Sequence, residues 1–127
     1  MTSAKNRTYR STHPSLEVVQ QAQLRFEDRS DGAVLIYDAL DGRLTYTVPP
    51  GTNGFLRGVM RGLVRDRRAD HIGSTPPFRL TRWADGRLSL DDPSTGRHID
   101  LEVFGPMNAG AFAAILQSDL ATKEQSS

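Results

Sequence analysis

Asp31-Gly32-Ala33-Val34-Leu35-Ile36-Tyr37-Asp38-Ala39-Leu40-Asp41-Gly42-Arg43 is echoed about 54 residues further on by Asp85-Gly86-Arg87-Leu88-Ser89-Leu90-Asp91-Asp92-Pro93-Ser94-Thr95-Gly96-Arg97. The Asp-Gly pair, a later aspartate and the closing Gly-Arg fall at one offset. Beyond them the register slips by one, so that Tyr46, Val48 and Asn53 correspond to Leu101, Val103 and Asn108. The shared residues are turn formers and apolar residues of a half-buried face. Glycine accepts the positive φ that tight hairpin turns require. The echo therefore belongs to the scaffold. A duplicated scaffold without a catalytic cluster points towards binding or assembly.

Working outward, Leu24 and Phe26 alternate with Arg25 and Glu27, the period-2 pattern of a half-buried strand. Turns at Ser30-Asp31-Gly32 and Leu40-Asp41-Gly42 separate it from strands at 33–39 and 43–48, with Leu44, Tyr46 and Val48 on one face. Pro49-Pro50-Gly51 ends the sheet, because proline cannot donate to a ladder. Thr52 or Asn53 can cap a helix from Gly54 to about Arg68, with Phe55, Leu56, Val59, Met60, Leu63 and Val64 on one arc. A loop follows from Asp70 to Pro77. The second copy predicts strands at 78–83, 87–90 and 98–104, then a helix capped by Asn108 with Phe112, Ile115, Leu116 and Leu120 on one side.

The expected fold is α+β: a single domain of two pseudo-repeated βββα units, antiparallel meanders with two amphipathic helices. Its span is about 22–121, with copies at about 23–70 and 77–121. Residues 1–21 read as a disordered leader and 122–127 as a disordered tail.

At 127 residues the chain suits one domain with a real core. A net charge of +1 gives no whole-protein field towards nucleic acid. There is no cysteine, which removes disulfides and thiolate chemistry. No apolar run approaches the ~20 residues of a membrane span. His13, His71 and His98 are isolated, without metal-ligand spacing. Asp91-Asp92 before Pro93 fits a turn whose backbone the aspartates bond. No nucleophile motif and no phosphate loop is present. The reading is a non-enzymatic protein without cofactor or metal.

The helix from Gly54 to Arg68 is the odd element. Gly54, Gly58 and Gly62 recur every fourth residue, and each interior glycine costs roughly 1 kcal/mol relative to alanine. Arg57, Arg61, Arg65 and Arg68 form a stripe beside them. Close packing of helix on sheet is one explanation. The other is a glycine groove where a partner helix approaches, flanked by arginines that meet acidic side chains or lipid phosphates. The candidate partner-binding residues are Arg57, Gly58, Arg61, Gly62, Arg65, Arg68 and Trp83. Trp83, the only tryptophan, either faces the core or stands exposed as an anchor. The alternative function is a small nucleic-acid-binding or generic interaction domain using the arginine helix. Interspersed acids such as Glu27-Asp28 and the lack of an RNA-binding signature count against nucleic acid.

Three segments are carried together: Leu24-Arg25-Phe26-Glu27-Asp28-Arg29, the run from Pro50 to Leu63, and the run from Pro77 to Leu90. With Gly96-Arg97-His98-Ile99-Asp100-Leu101 and Phe104-Gly105-Pro106-Met107-Asn108, they resemble the PuhC-type photosynthetic complex assembly proteins of purple bacteria. The resemblance covers roughly residues 22–118. It implies a factor that assembles or organises the reaction centre with its core light-harvesting antenna. The implied partners are reaction-centre or antenna subunits, other assembly factors and an anionic membrane surface, at the inner photosynthetic membrane. Such proteins usually carry one membrane-spanning helix ahead of the domain. Nothing before Leu24 can serve as one, so either the anchor lies outside this stretch or this member works without it. The resemblance brings no catalytic residues.

Overall fold

Alternating burial builds the sheet one strand at a time. In the computed structural model, which describes residues 17–126, β1 (Val18–Asp28) buries Ala22 and Leu24, and the residues between them are less buried. β2 (Val34–Asp38) buries Val34, Ile36 and Asp38. β3 (Leu44–Val48), β4 (Phe78–Trp83), β5 (Leu88–Asp92) and β6 (Arg97–Asp100) complete one antiparallel sheet in the order β3-β2-β1-β4-β5-β6. Two helices, α1 (Gly54–Ala69) and α2 (Pro106–Ser126), complete an α+β single domain. The expectation of a disordered leader falls largely on residues 1–16, outside the described residues.

Leu24, Ile36, Val48, Leu80 and Leu90 share one core with Leu56 and Leu63 of α1 and Phe112, Ile115 and Leu116 of α2, all at most 1% exposed. Both helices therefore cover the same face of the sheet. Each such side chain contributes ~1.5–3 kcal/mol by leaving water. The opposite face carries Gln21, Gln23, Arg25 and Glu27 from the central strand, which the alternation of a strand sends away from the core.

β1 starts at Val18, earlier than the expected Gln23, and the extra length has a purpose. Its second half pairs with β2 from Leu24 to Asp28, while its first half pairs with β4 from Val18 to Leu24. The two meanders are staggered along this shared strand. Gln20 and Gln21 hide the strand in the sequence because both are polar. Gln20 Nε2 donates to the Leu116 carbonyl at 2.8 Å and Gln21 Nε2 to Thr81 Oγ1 at 3.0 Å.

Other boundaries moved for local reasons. The strand expected over 98–104 stops at Asp100, whose side chain accepts the Glu102 N–H and opens a 3₁₀ turn, Leu101–Phe104. A register shift between Ile36 and Tyr37 turns Leu44 out to 45% exposure and buries Thr45. α2 begins at Pro106 and continues to Ser126, past the expected end near Leu120; Asn108 sits inside its first turn and donates back to the Phe104 carbonyl. On α2 the inward position expected for Leu120 is taken by Asp119, 2% exposed, and Leu120 is 46% exposed.

The helices cross over. α1 leaves the first meander and meets the second: Arg67 pairs with Asp92 of β5, and Asp66 takes a 2.8 Å bond from Arg97 of β6. α2 leaves the second meander and meets the first. Asp119 accepts from Thr45 Oγ1 at 2.9 Å, Lys123 reaches Asp38 at 3.0 Å, and the Thr122 carbonyl accepts from Arg43 at 2.7 Å.

Candidate partner-binding surface

The entry to α1 is fixed by backbone geometry. Gly51 and Asn53 hold φ of 73° and 53°, a left-handed conformation that glycine and asparagine tolerate best. Asn53 occupies the N-cap position but makes no side-chain cap bond. Arg57 ties the turn down instead: its guanidinium donates to the carbonyls of Gly32 (2.8 Å), Pro49 (2.6 Å) and Thr52. The first arginine of the stripe is thus engaged with its own chain.

The next three behave differently. Arg61, Arg65 and Arg68 are exposed and make no ion pair among the described residues. Arg67, which the stripe passes over, is 3% exposed. It forms a fork with Asp92, Nε to Oδ2 at 2.7 Å and Nη2 to Oδ1 at 2.9 Å, and its Cζ lies 3.9 Å from the Phe78 ring centroid. Burial opposes the charge of Asp92, but the Arg67 fork and the Ser94 side chain and N–H hold its carboxyl below the ordinary value. Asp92 also caps its hairpin turn through Ser94 N at 3.1 Å, as its position before Pro93 predicts.

The glycines face open space. Among the described residues, a Cβ built on Gly54, Gly58 or Gly62 meets no heavy atom within 4 Å outside the helix's own backbone and its chain neighbours. Close packing of helix on sheet therefore does not account for them. On this side of the helix lies a groove of about 370 Å³, walled by Gly58, Val59, Gly62 and Leu63 of α1 and by Arg97 to Asp100 of β6, with Val103 and Phe104 at one end. Val103 is 72% exposed and Met107 beyond it 90%. The sequence signal for this wall is the pair of large apolar residues before the Gly105-Pro106 break, which reads equally well as the end of a strand.

The corresponding position at the other edge is filled. There Ser118 Oγ donates to the Thr45 carbonyl of β3, and Asp38, Asp119 and Lys123 form a cluster. Asp38 Oδ1 accepts the Leu40 N–H at 2.8 Å; its buried Oδ2 has no well-directed hydrogen bond and is held by the charge of Lys123. Burial, together with the adjoining Asp38 carboxyl, raises the pKa of Asp119. Asp38 is held low despite burial by Lys123 and Asp119, and Lys123 is raised chiefly by its pairing with Asp38.

Trp83 stands apart from the arginine helix. Its Nε1 donates to Ser89 Oγ at 2.9 Å. Ser89 lies between the core residues Leu88 and Leu90, so this pair sits on the sheet face away from the helices. Trp83 is half-buried there, neither a core residue nor a free anchor. The structure brings Gly58, Arg61, Gly62, Arg65 and Arg68 together on α1 and leaves Trp83 across the sheet. His71 lies in the loop after α1 with φ of 58°, and His98 Nδ1 meets Asp91 at 2.6 Å. Among the described residues no group of three His, Cys, Asp or Glu could hold a metal ion. No helix among them is long and apolar enough to cross a membrane.

Residues 19–120 match the family described as "Photosynthetic complex reorganisation protein PuhC". A curated protein of Rhodobacter capsulatus, described as an uncharacterised 17.4 kDa protein in the puhA 5′ region, is 34% identical over 76 residues. That alignment takes in 60% of this chain and 46% of the relative, so the match spans under half of the relative's length. No solved structure matches the chain.

Proposed function

Since the chain belongs to the PuhC family of photosynthetic complex reorganisation proteins, we propose that it is a non-enzymatic factor that organises the reaction centre with its core light-harvesting antenna. It works by protein contacts at the photosynthetic membrane, and the surface it uses is the outer side of α1 with the adjoining groove. The observation that carries this reading is the state of α1. Two interior glycines that cost the helix ~2 kcal/mol in propensity leave open space, and three arginines beside them pair with no acid, among the described residues. A surface with unfilled space and unpaired charge suits a macromolecular partner that supplies both. Exposed Val103 and Met107 extend it with apolar area.

The test is co-purification from a phototrophic bacterium. A tagged chain carrying Arg61→Glu, Arg65→Glu and Arg68→Glu together should melt within a few degrees of the wild type, because exposed charges contribute ~0–1 kcal/mol. It should lose the reaction-centre and antenna subunits that the wild-type chain retains. Equal recovery of those subunits by both chains would rule this surface out.

A further inference from the structure

We propose that the end of α2 is a proton-operated latch on the β3 edge, closed while Asp38 and Asp119 hold one proton between them and released when that proton leaves. The latch lies at the far edge of the sheet from the α1 surface and stands whether or not that surface receives a partner.

The geometry begins where the core stops. Among the described residues of α2, Leu116 is the last apolar side chain that the core buries. From Gln117 to Lys123 no apolar residue is buried, and Leu120 and Ala121 are exposed. Polar contacts hold this stretch instead. Ser118 Oγ donates to the Thr45 carbonyl, Thr45 Oγ1 donates to Asp119 Oδ1 and Arg43 donates to the Thr122 carbonyl. Lys123 Nζ lies 3.0 Å from Asp38 Oδ2 and 3.3 Å from Asp119 Oδ2. A helix end with little apolar burial opens at low cost, so its polar contacts decide whether it stays closed.

Charge makes those contacts conditional. Asp38 and Asp119 are both buried, and both reach the same ammonium. Two buried carboxylates against one lysine leave a negative charge in excess, which burial penalises. One proton on the pair removes the excess. Burial and the adjoining Asp38 carboxyl raise the pKa of Asp119, which accords with the proton residing there. The other charged groups at this edge are Asp41 and Arg43, which pair with each other at 3.4 Å beside the Asp38 turn. Tyr46 of β3 packs against the core and is neutral below pH ~10.

The direction follows. Without the proton the closed end must hold a charge that the released end gives to water, so the latch is shut at acid pH and opens as pH rises through the folded value of the pair. Opening withdraws α2 from Thr45, on the last strand of the sheet.

The test uses the full chain. Carboxyl-carbon NMR of the wild type should show one proton leaving the Asp38–Asp119 pair above the ordinary carboxylate range. Amide exchange, corrected for its intrinsic pH dependence, should speed up over the same interval at 118–123 and at Leu44–Val48, with none at Leu56 and Leu63. The open fraction should grow about tenfold for each unit by which the closed pair titrates above the released one. Asp119→Asn and Asp38→Asn each leave a single carboxylate for the lysine. Either should keep the end shut and remove the pH dependence of its exchange. Overturning results are a pair that titrates at or below the ordinary range, exchange at 118–123 that stays flat or rises only with the core, or a wild-type pH profile in Asp119→Asn. The first two are read on the wild type and decide the matter even where a variant fails to fold.

Discussion

The two edges of the sheet are built alike and finished differently. Each ends in a short strand after a hairpin closed by a buried aspartate, Asp38 on one side and Asp92 on the other, and each faces a helix from the opposite meander. At the β3 edge α2 brings Ser118, Asp119, Thr122 and Lys123 into contact. At the β6 edge α1 is held deeply through Arg67 and Asp92 and at the surface through Asp66 and Arg97, and then presents glycine. One side of sheet and helix is closed by side chains, the other by two ion pairs with a groove left beside them.

The largest effect should come from cutting the crossing. A fragment ending near Gly73 keeps the first meander and α1 but loses α2, the helix that covers it. Its complement likewise keeps α2 without α1. Each should be unfolded alone by circular dichroism, a loss of the whole ~5–15 kcal/mol of a small domain, and mixing the two should restore the native spectrum. A folded lone fragment would show the crossing to be incidental.

Next, Asp92→Ala should cost about 3–5 kcal/mol, because it strands the buried Arg67 charge. Asp38→Ala should cost less, about 1–2 kcal/mol, since Lys123 is 38% exposed and can return to water. Urea melts giving equal losses would break the contrast between the deep anchor and the shallow cluster.

Glycine sharpens it further. Gly58→Ala and Gly62→Ala should each stabilise the free chain by roughly 1 kcal/mol, having space and a helical φ. Gly86→Ala, at φ 90°, should destabilise by about the same amount despite equal space. Thermal melts that rank these three alike would show that something unseen already fills the groove side.

The smallest effect is in pH. Asp119, with its pKa raised in the folded chain, keeps a proton that the unfolded chain has lost. Its contribution is full at acid pH and falls away as pH rises from about 4, the unfolded value, through the folded one. Asp92, held low, does the reverse: its contribution is present above about 4 and is lost as pH falls through its folded value. Asp119→Asn should therefore flatten the decline in urea midpoint as pH rises above about 4, the unfolded value. An unchanged slope would remove Asp119 from the account.

Much of this architecture is legible in the sequence because it rests on local chemistry. Asp31-Gly32 and Asp85-Gly86 announce their turns, and each glycine takes the positive φ. The arc Leu56, Met60, Leu63 announces a buried helix face. The rest depends on tertiary partners. Arg67 reads as one arginine among several, and only Asp92, brought in from 25 positions away, makes it the anchor. Gln20 reads as loop until Leu116 supplies an acceptor. Periodicity says which side of a helix is apolar but not which meander receives it, so the crossing is invisible. The same limit joined Trp83 to the arginines: the sequence holds both, and only the pleat of β4 and β5 sends the ring to the other face.

Chain order gives the crossing a history as well as a geometry. α2 follows all six strands, so a ribosome delivers β1, β2 and β3 well before the helix that covers them. During that interval the outer strand presents Leu44 and Thr45 bare, and two nascent copies on one message can pair there. β6 is made only a few residues before α2, after α1 already stands beside it. The edge that α2 seals in the finished protein is thus the vulnerable one during synthesis, while β6 spends little time without its neighbouring helix.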